Sequence, residues 1–142
     1  MAGPLVVDAS LLLRLVLPGP EQPRLRDLVT RWTHEGCVLH APSLWLYEVT
    51  SALCRAVYSR ALTAEEARRA LALLQGLGVE SVPLDEAQAS LAFDWTLRLG
   101  RAAAYDSFYL ALAEALQYEL WTADERLFCA VGRPRVRWPG DQ

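Results

Sequence analysis

The chain has 142 residues, 53% hydrophobic and 22% charged, with a formal net charge of -3. That length gives one domain with enough chain for a real core, and the acidic balance excludes nucleic-acid affinity through overall basicity. All 14 basic side chains are arginine, which excludes a catalytic lysine, and Cys37, Cys54 and Cys129 are too scattered for a zinc site or a disulfide framework.

Leu5, Val6 and Val7 suit a strand buried on both faces. Asp8 follows, and Ser10 is placed to cap a helix from Leu11 that is apolar nearly all round and stopped by Pro18-Gly19-Pro20. Broken by Arg14, this run is too short to span a bilayer, and no leader pattern precedes it, so the chain reads as cytoplasmic. Leu25, Leu28, Val29 and Trp32 mark a second helix, with Gly36 just past its end. A second strand is expected at 37–39. His34 and His40, on either side of it, lack a partner at metal-ligand spacing.

Pro42 and Ser43 open a third helix, with Leu46, Val49, Thr50, Leu53 and Val57 as its apolar stripe. Glu48 falls off that stripe, on a face with Trp45, Ala52 and Arg55. Large apolar neighbours in sequence make it a partly desolvated acid that needs a cation or a donor. Thr63 and Glu66 form a capping box for a helix through Ala67, Ala70, Leu71 and Leu74. A third strand is expected at 79–82. Asp85 and Gln88 then repeat the capping spacing for a helix buried along Leu91, Ala92, Trp95 and Leu99, which Gly100 ends.

The next helix opens at Asp106 and carries Tyr109, Leu112, Ala113 and Leu116 at helical spacing. A short strand at 120–122 leads to Asp124, where Thr122 and Glu125 have capping-box spacing. A last helix carries Leu127 and Phe128, an edge strand is expected at 136–138, and 139–142 reads as a frayed end. Short strands alternating with helices imply an α/β sandwich with a mostly parallel sheet, and right-handed crossovers put every strand's carboxyl end on one edge.

Asp8 and Asp124 each follow a strand, and Asp106 opens the helix that leads to the second of those strands. Singly, each could be a cap or a helix-dipole partner. If the two strands are neighbours, the three carboxylates crowd one crevice and repel by roughly 1–4 kcal/mol a pair. Such a cluster stays ionised only around a cation. Oxygen ligands without Cys or His suit a hard ion, Mg²⁺ or Mn²⁺, and that apparatus serves phosphodiester or phosphoryl chemistry.

Four stretches then resemble the PIN-domain nucleases, and specifically the VapC-like toxins of toxin–antitoxin pairs. They are Val6-Val7-Asp8-Ala9-Ser10, Ala41-Pro42-Ser43 leading to Tyr47-Glu48-Val49, the run from Ala104 through Asp106 to Ala113, and Trp121-Thr122-Ala123-Asp124-Glu125-Arg126-Leu127. The resemblance spans nearly the whole chain, 1–142. It implies a flavodoxin-like three-layer fold of about five parallel strands covered by helices. It implies that Asp8, Glu48, Asp106 and Asp124 form an acidic metal site for Mg²⁺ or Mn²⁺, flanked by the hydroxyls of Ser10 and Thr122. It implies endonucleolytic cleavage of RNA, a small antitoxin partner and a homodimer. Many relatives carry a further acid or Asn one turn after the last Asp, where this chain has Leu127 and Phe128.

Arg14 or Arg101 could hold a flanking phosphate, although a solvated face is the simpler reading for each. Receiver domains and haloacid-dehalogenase-like phosphatases also gather acids at strand ends, but both need a lysine that is absent here. The alternative is a catalytically inactive PIN-like interaction module whose acids serve only as caps.

Overall fold

The structure, a computed structural model, describes residues 3–141. Five strands form one all-parallel sheet: β1 (Leu5–Val7), β2 (Leu39–Pro42), β3 (Glu80–Val82), β4 (Glu119–Trp121) and β5 (Val136–Arg137), in the spatial order β3-β2-β1-β4-β5. β1 and β4 are neighbours, with Val7 beside Trp121. Asp8 and Asp124 therefore leave adjacent strands at the same sheet edge. All three residues of β1 are buried, as a central parallel strand requires.

The helices are α1 (Ala9–Val16), α2 (Gln22–His34), α3 (Leu44–Tyr58), α4 (Ala64–Gln75), α5 (Glu86–Leu99), α6 (Tyr105–Leu116) and α7 (Glu125–Val131). α6 packs on β1, β2 and β4, with α5 against it, while α1 touches α2, α3 and α4. Trp32 of α2 meets Trp121 of β4 edge-on, ring centroids 5.2 Å apart. Among the described residues, no helix is long and apolar enough to cross a membrane.

The capping expectations hold at two helices. Thr63 and Glu66 make both bonds of the box, and the Asp85 side chain accepts from the Gln88 N–H. Two others need correction. Asp8, not Ser10, caps α1, accepting from the Leu11 N–H at 3.0 Å, so the helix starts two residues early. Asp124, not Thr122, caps α7, accepting from the Arg126 N–H at 3.0 Å.

The second strand lies at Leu39–Pro42 rather than 37–39; Val38 is 42% exposed. The buried face of α3 is Trp45, Val49 and Leu53, while Leu46 and Thr50 face outward. On that face the Trp45 indole N–H donates to Ser81 Oγ on β3 at 2.7 Å. α6 is buried on more than a stripe, from Ser107 through Ala113 apart from half-buried Phe108. It ends on Gln117 in the left-handed region, φ 59. Pro139–Asp141 form a 3₁₀ turn rather than a frayed end, and Gln142 lies outside the described residues.

Candidate active site

Asp8, Glu48, Asp106 and Asp124 all line one cavity of about 590 Å³ at the carboxyl edge of the sheet. Each arrives by a different route. Asp8 follows β1, Glu48 sits on the second turn of α3, Asp106 is in the first turn of α6, and Asp124 follows β4 by three residues.

Asp8 is 4% exposed. Its Oδ1 accepts from the Ser10 hydroxyl at 2.7 Å as well as from the Leu11 N–H. Burial nevertheless pushes its carboxyl up to about 6, against the pull of the Thr122 and Ser10 hydroxyls, and the charge of Asp106 adds to the rise. Ser10 Oγ lies 3.2 Å from Thr122 Oγ1 and accepts from the Ala123 N–H, while Thr122 Oγ1 accepts from the Asp124 N–H at 2.9 Å. These two hydroxyls thus lock the ends of β1 and β4 together and fix where Asp8 and Asp124 stand.

Glu48 is half-buried, as its sequence surroundings suggest. Desolvation raises its carboxyl; the Tyr109 phenol, which donates to Oε1 at 2.6 Å, opposes the rise, and Asp106 adds to it. Desolvation also raises Asp106, with Arg101 and Arg126 opposing and Asp124 adding. Asp8, Glu48 and Asp106 are therefore all displaced in the same direction, first by loss of water and also by a neighbouring carboxylate, Asp106 for Asp8 and Glu48 and Asp124 for Asp106.

The arginines divide. Arg101 donates to Asp106 Oδ2 from the loop that Gly100 opens at φ +66. Arg126 approaches Asp124 at 4.0 Å and is 92% exposed. Arg14 pairs with Glu21 in solvent at 2.8 Å, well apart from the acids in its bonding. Arg55 lines the cavity, but its Nη1 donates to Ser51 Oγ at 3.0 Å rather than to Glu48.

A family model described as the PIN domain matches residues 5–134. The chain belongs to the PIN-domain family. Ribonuclease VapC1 of Mycobacterium tuberculosis is 37% identical over 107 residues, covering 75% of this chain and 78% of that protein. Ribonuclease VapC9 of the same organism is 36% identical over 123 residues, 87% of each. The fold is shared with VapBC2 from Rickettsia felis bound to a DNA fragment from its promoter, at a TM-score of 0.71 and 10% identity over 95% of this chain and 98% of that one. It is shared also with a toxin–antitoxin complex from Klebsiella pneumoniae, at a TM-score of 0.63 and 15% identity over 95% and 97%.

The side chains of this PIN domain fit a hard divalent cation in chemistry. The donors facing the cavity are carboxylate and hydroxyl oxygens, and three of the carboxyls are desolvated and mutually repelled, a condition that a cation relieves. As they stand, no three acidic, His or Cys side chains among the described residues converge closely enough to hold an ion. Asp106 is turned to Arg101, and Asp124 to the start of α7.

Two contributors carry no site signal of their own in the sequence. Tyr109 reads only as a member of an apolar stripe, although a buried phenol needs a partner. Ser51 follows Glu48 by three residues, a spacing that puts it on the same helical face as Glu48 and Arg55.

Proposed function

We propose that this PIN domain is a divalent-metal-dependent endoribonuclease and the toxin of a toxin–antitoxin pair. The observation that carries it is the single cavity lined by four carboxylates from four separate segments. RNA as substrate is supported by the names of relatives at 36–37% identity. A small antitoxin is in keeping with the complexes that share the fold. An RNA substrate and a small antitoxin partner are in keeping with a cytoplasmic protein. Exposed Leu46 and Tyr47, beside the cavity on α3, offer a homodimer an apolar contact.

Asp8, Asp106 and Asp124 are the residues that would hold Mg²⁺ or Mn²⁺, with Glu48 completing the pocket. When bound, the ion would supply a water of lowered pKa and offset charge at the scissile phosphate. The protein's own groups prepare the site. Ser10 and the Leu11 N–H fix Asp8 Oδ1, Thr122 holds the Asp124 backbone, and Tyr109 aims Glu48 through Oε1. These bonds hold Asp8 and Glu48 in advance, while the Asp106 and Asp124 side chains would have to turn from Arg101 and the start of α7 to share an ion.

A second reading, an inactive interaction module, draws on the partner that each carboxylate already has within the chain: two helix caps, an arginine and a tyrosine. Incubation with total RNA, with Mg²⁺ or with EDTA, separates the two. The nuclease cleaves only with the metal, and Asp8→Asn, which keeps a capping side chain, remains folded and does not cleave. Undiminished cleavage by folded Asp8→Asn contradicts the assignment of Asp8.

A further inference from the structure

We infer that Arg55 is a substrate-binding residue of this site, taking a backbone phosphate of the RNA next to the one being cut. The inference rests on the nuclease reading and adds a contact to it.

Glu48, Ser51, Ala52 and Arg55 sit at intervals of three, four and seven residues on α3, one face of the helix, and all four line the cavity. At 1.5 Å per residue, Arg55 lies about 10 Å along the helix axis from Glu48. It is exposed. Its Nη1 is steered by Ser51 Oγ, one turn back, and among the described residues it has no acidic partner.

The other arginines at this edge differ. Arg101 is engaged by Asp106, and Arg126 is spread into solvent beside Asp124. Arg55 is thus a cation inside an acidic cavity whose charge none of the cavity's acids takes up directly. A planar guanidinium fork matches two phosphate oxygens, and in a chain of net charge -3 attraction for RNA has to be local. An RNA strand that brings one phosphate to the acids passes along α3, and the neighbouring phosphate meets Arg55. Ser51 presets the direction of the side chain before RNA arrives.

The competing structural role is a helix-surface bond between Arg55 and Ser51, which has no bearing on salt dependence. The test measures binding of a labelled single-stranded RNA oligonucleotide to the full chain across a series of NaCl concentrations. Ca²⁺ replaces Mg²⁺ to hold back cleavage while still accepting oxygen ligands. Arg55→Gln is expected to weaken binding roughly tenfold and to flatten the slope of log affinity against log salt by about 0.7, one phosphate contact on a single strand. Arg55→Lys keeps the slope, because the charge remains, and both variants bind Mn²⁺ as wild type does. Equal slopes for wild type and Arg55→Gln overturn the inference and leave the nuclease reading standing. A wild-type chain that binds neither Mn²⁺ nor RNA overturns the nuclease reading, and Arg55's role with it.

Discussion

The Tyr109 phenol donates to Glu48 Oε1 at 2.6 Å and ties α6 to α3 across the acidic cavity. Tyr109 is almost fully buried, and its ionisation is pushed far up by burial and then by Glu48, so it stays a donor at any ordinary pH. Tyr109→Phe keeps the ring and removes the donor. Glu48 is then left half-buried without that bond, its carboxyl rises further, and stability at neutral pH falls by about 1–3 kcal/mol. Urea unfolding checks this, and a double-mutant cycle with Glu48→Leu, which has no acceptor, should return most of the loss as coupling.

Asp8 gives the metal-free protein a specific pH dependence. Its folded value, about 6, lies above the ordinary 3.8. The native state therefore binds the proton more tightly than the unfolded chain does. The stabilisation is fully present below pH ~4 and is lost as pH rises through ~6. At 1.36 kcal/mol for each unit between those values, the swing is about 3 kcal/mol. Glu48 and Asp106 act in the same direction. Unfolding in EDTA should thus show stability falling from pH 4 to pH 7, and Asp8→Asn should flatten most of that fall while abolishing cleavage.

Arg101 would compete with the proposed metal. It donates to Asp106, the acid in the first turn of α6. Arg101→Gln frees that carboxylate, and Mn²⁺ binding is expected to tighten by roughly threefold, about 0.7 kcal/mol for a partly exposed pair. Calorimetric titration measures this; weaker binding by the variant would show Arg101 supporting the site instead.

Thr63→Ala provides a control remote from the site's chemistry. It removes one bond of the box that starts α4 and should cost about 1 kcal/mol. RNA cleavage per folded molecule should not change.

Much of this was legible because local chemistry and tertiary placement agree. β1, β4 and the helix carrying Asp106 announce themselves by apolar runs and helical spacing, and parallel topology then brings Asp8, Asp106 and Asp124 to one edge. Pro42, which has no N–H to give a ladder and reads from the sequence as the start of α3, instead ends β2 opposite Val82, so the second strand lies later than the apolar run 37–39 suggests. The face of α3 was misread because the helix has apolar residues all round. Packing against α1, α4 and β2 selects which ones go inside, and Ser81 on β3 then meets the Trp45 indole. By spacing, Ser10 suits the cap of α1, and either Thr122 or Asp124 could start α7. The structure gives the caps to Asp8 and Asp124 and uses both hydroxyls to bridge β1 and β4. Partners distant in sequence, such as Tyr109 for Glu48, leave no local trace.

The most direct test of the central claim is calorimetric titration of Mn²⁺ into the wild-type chain and into Asp106→Asn and Asp124→Asn, with the fold of each confirmed by circular dichroism. The account predicts saturable binding by wild type and its loss in both variants. Saturable binding of equal strength in all three, or none in the folded wild type, would contradict a metal site built from these carboxylates.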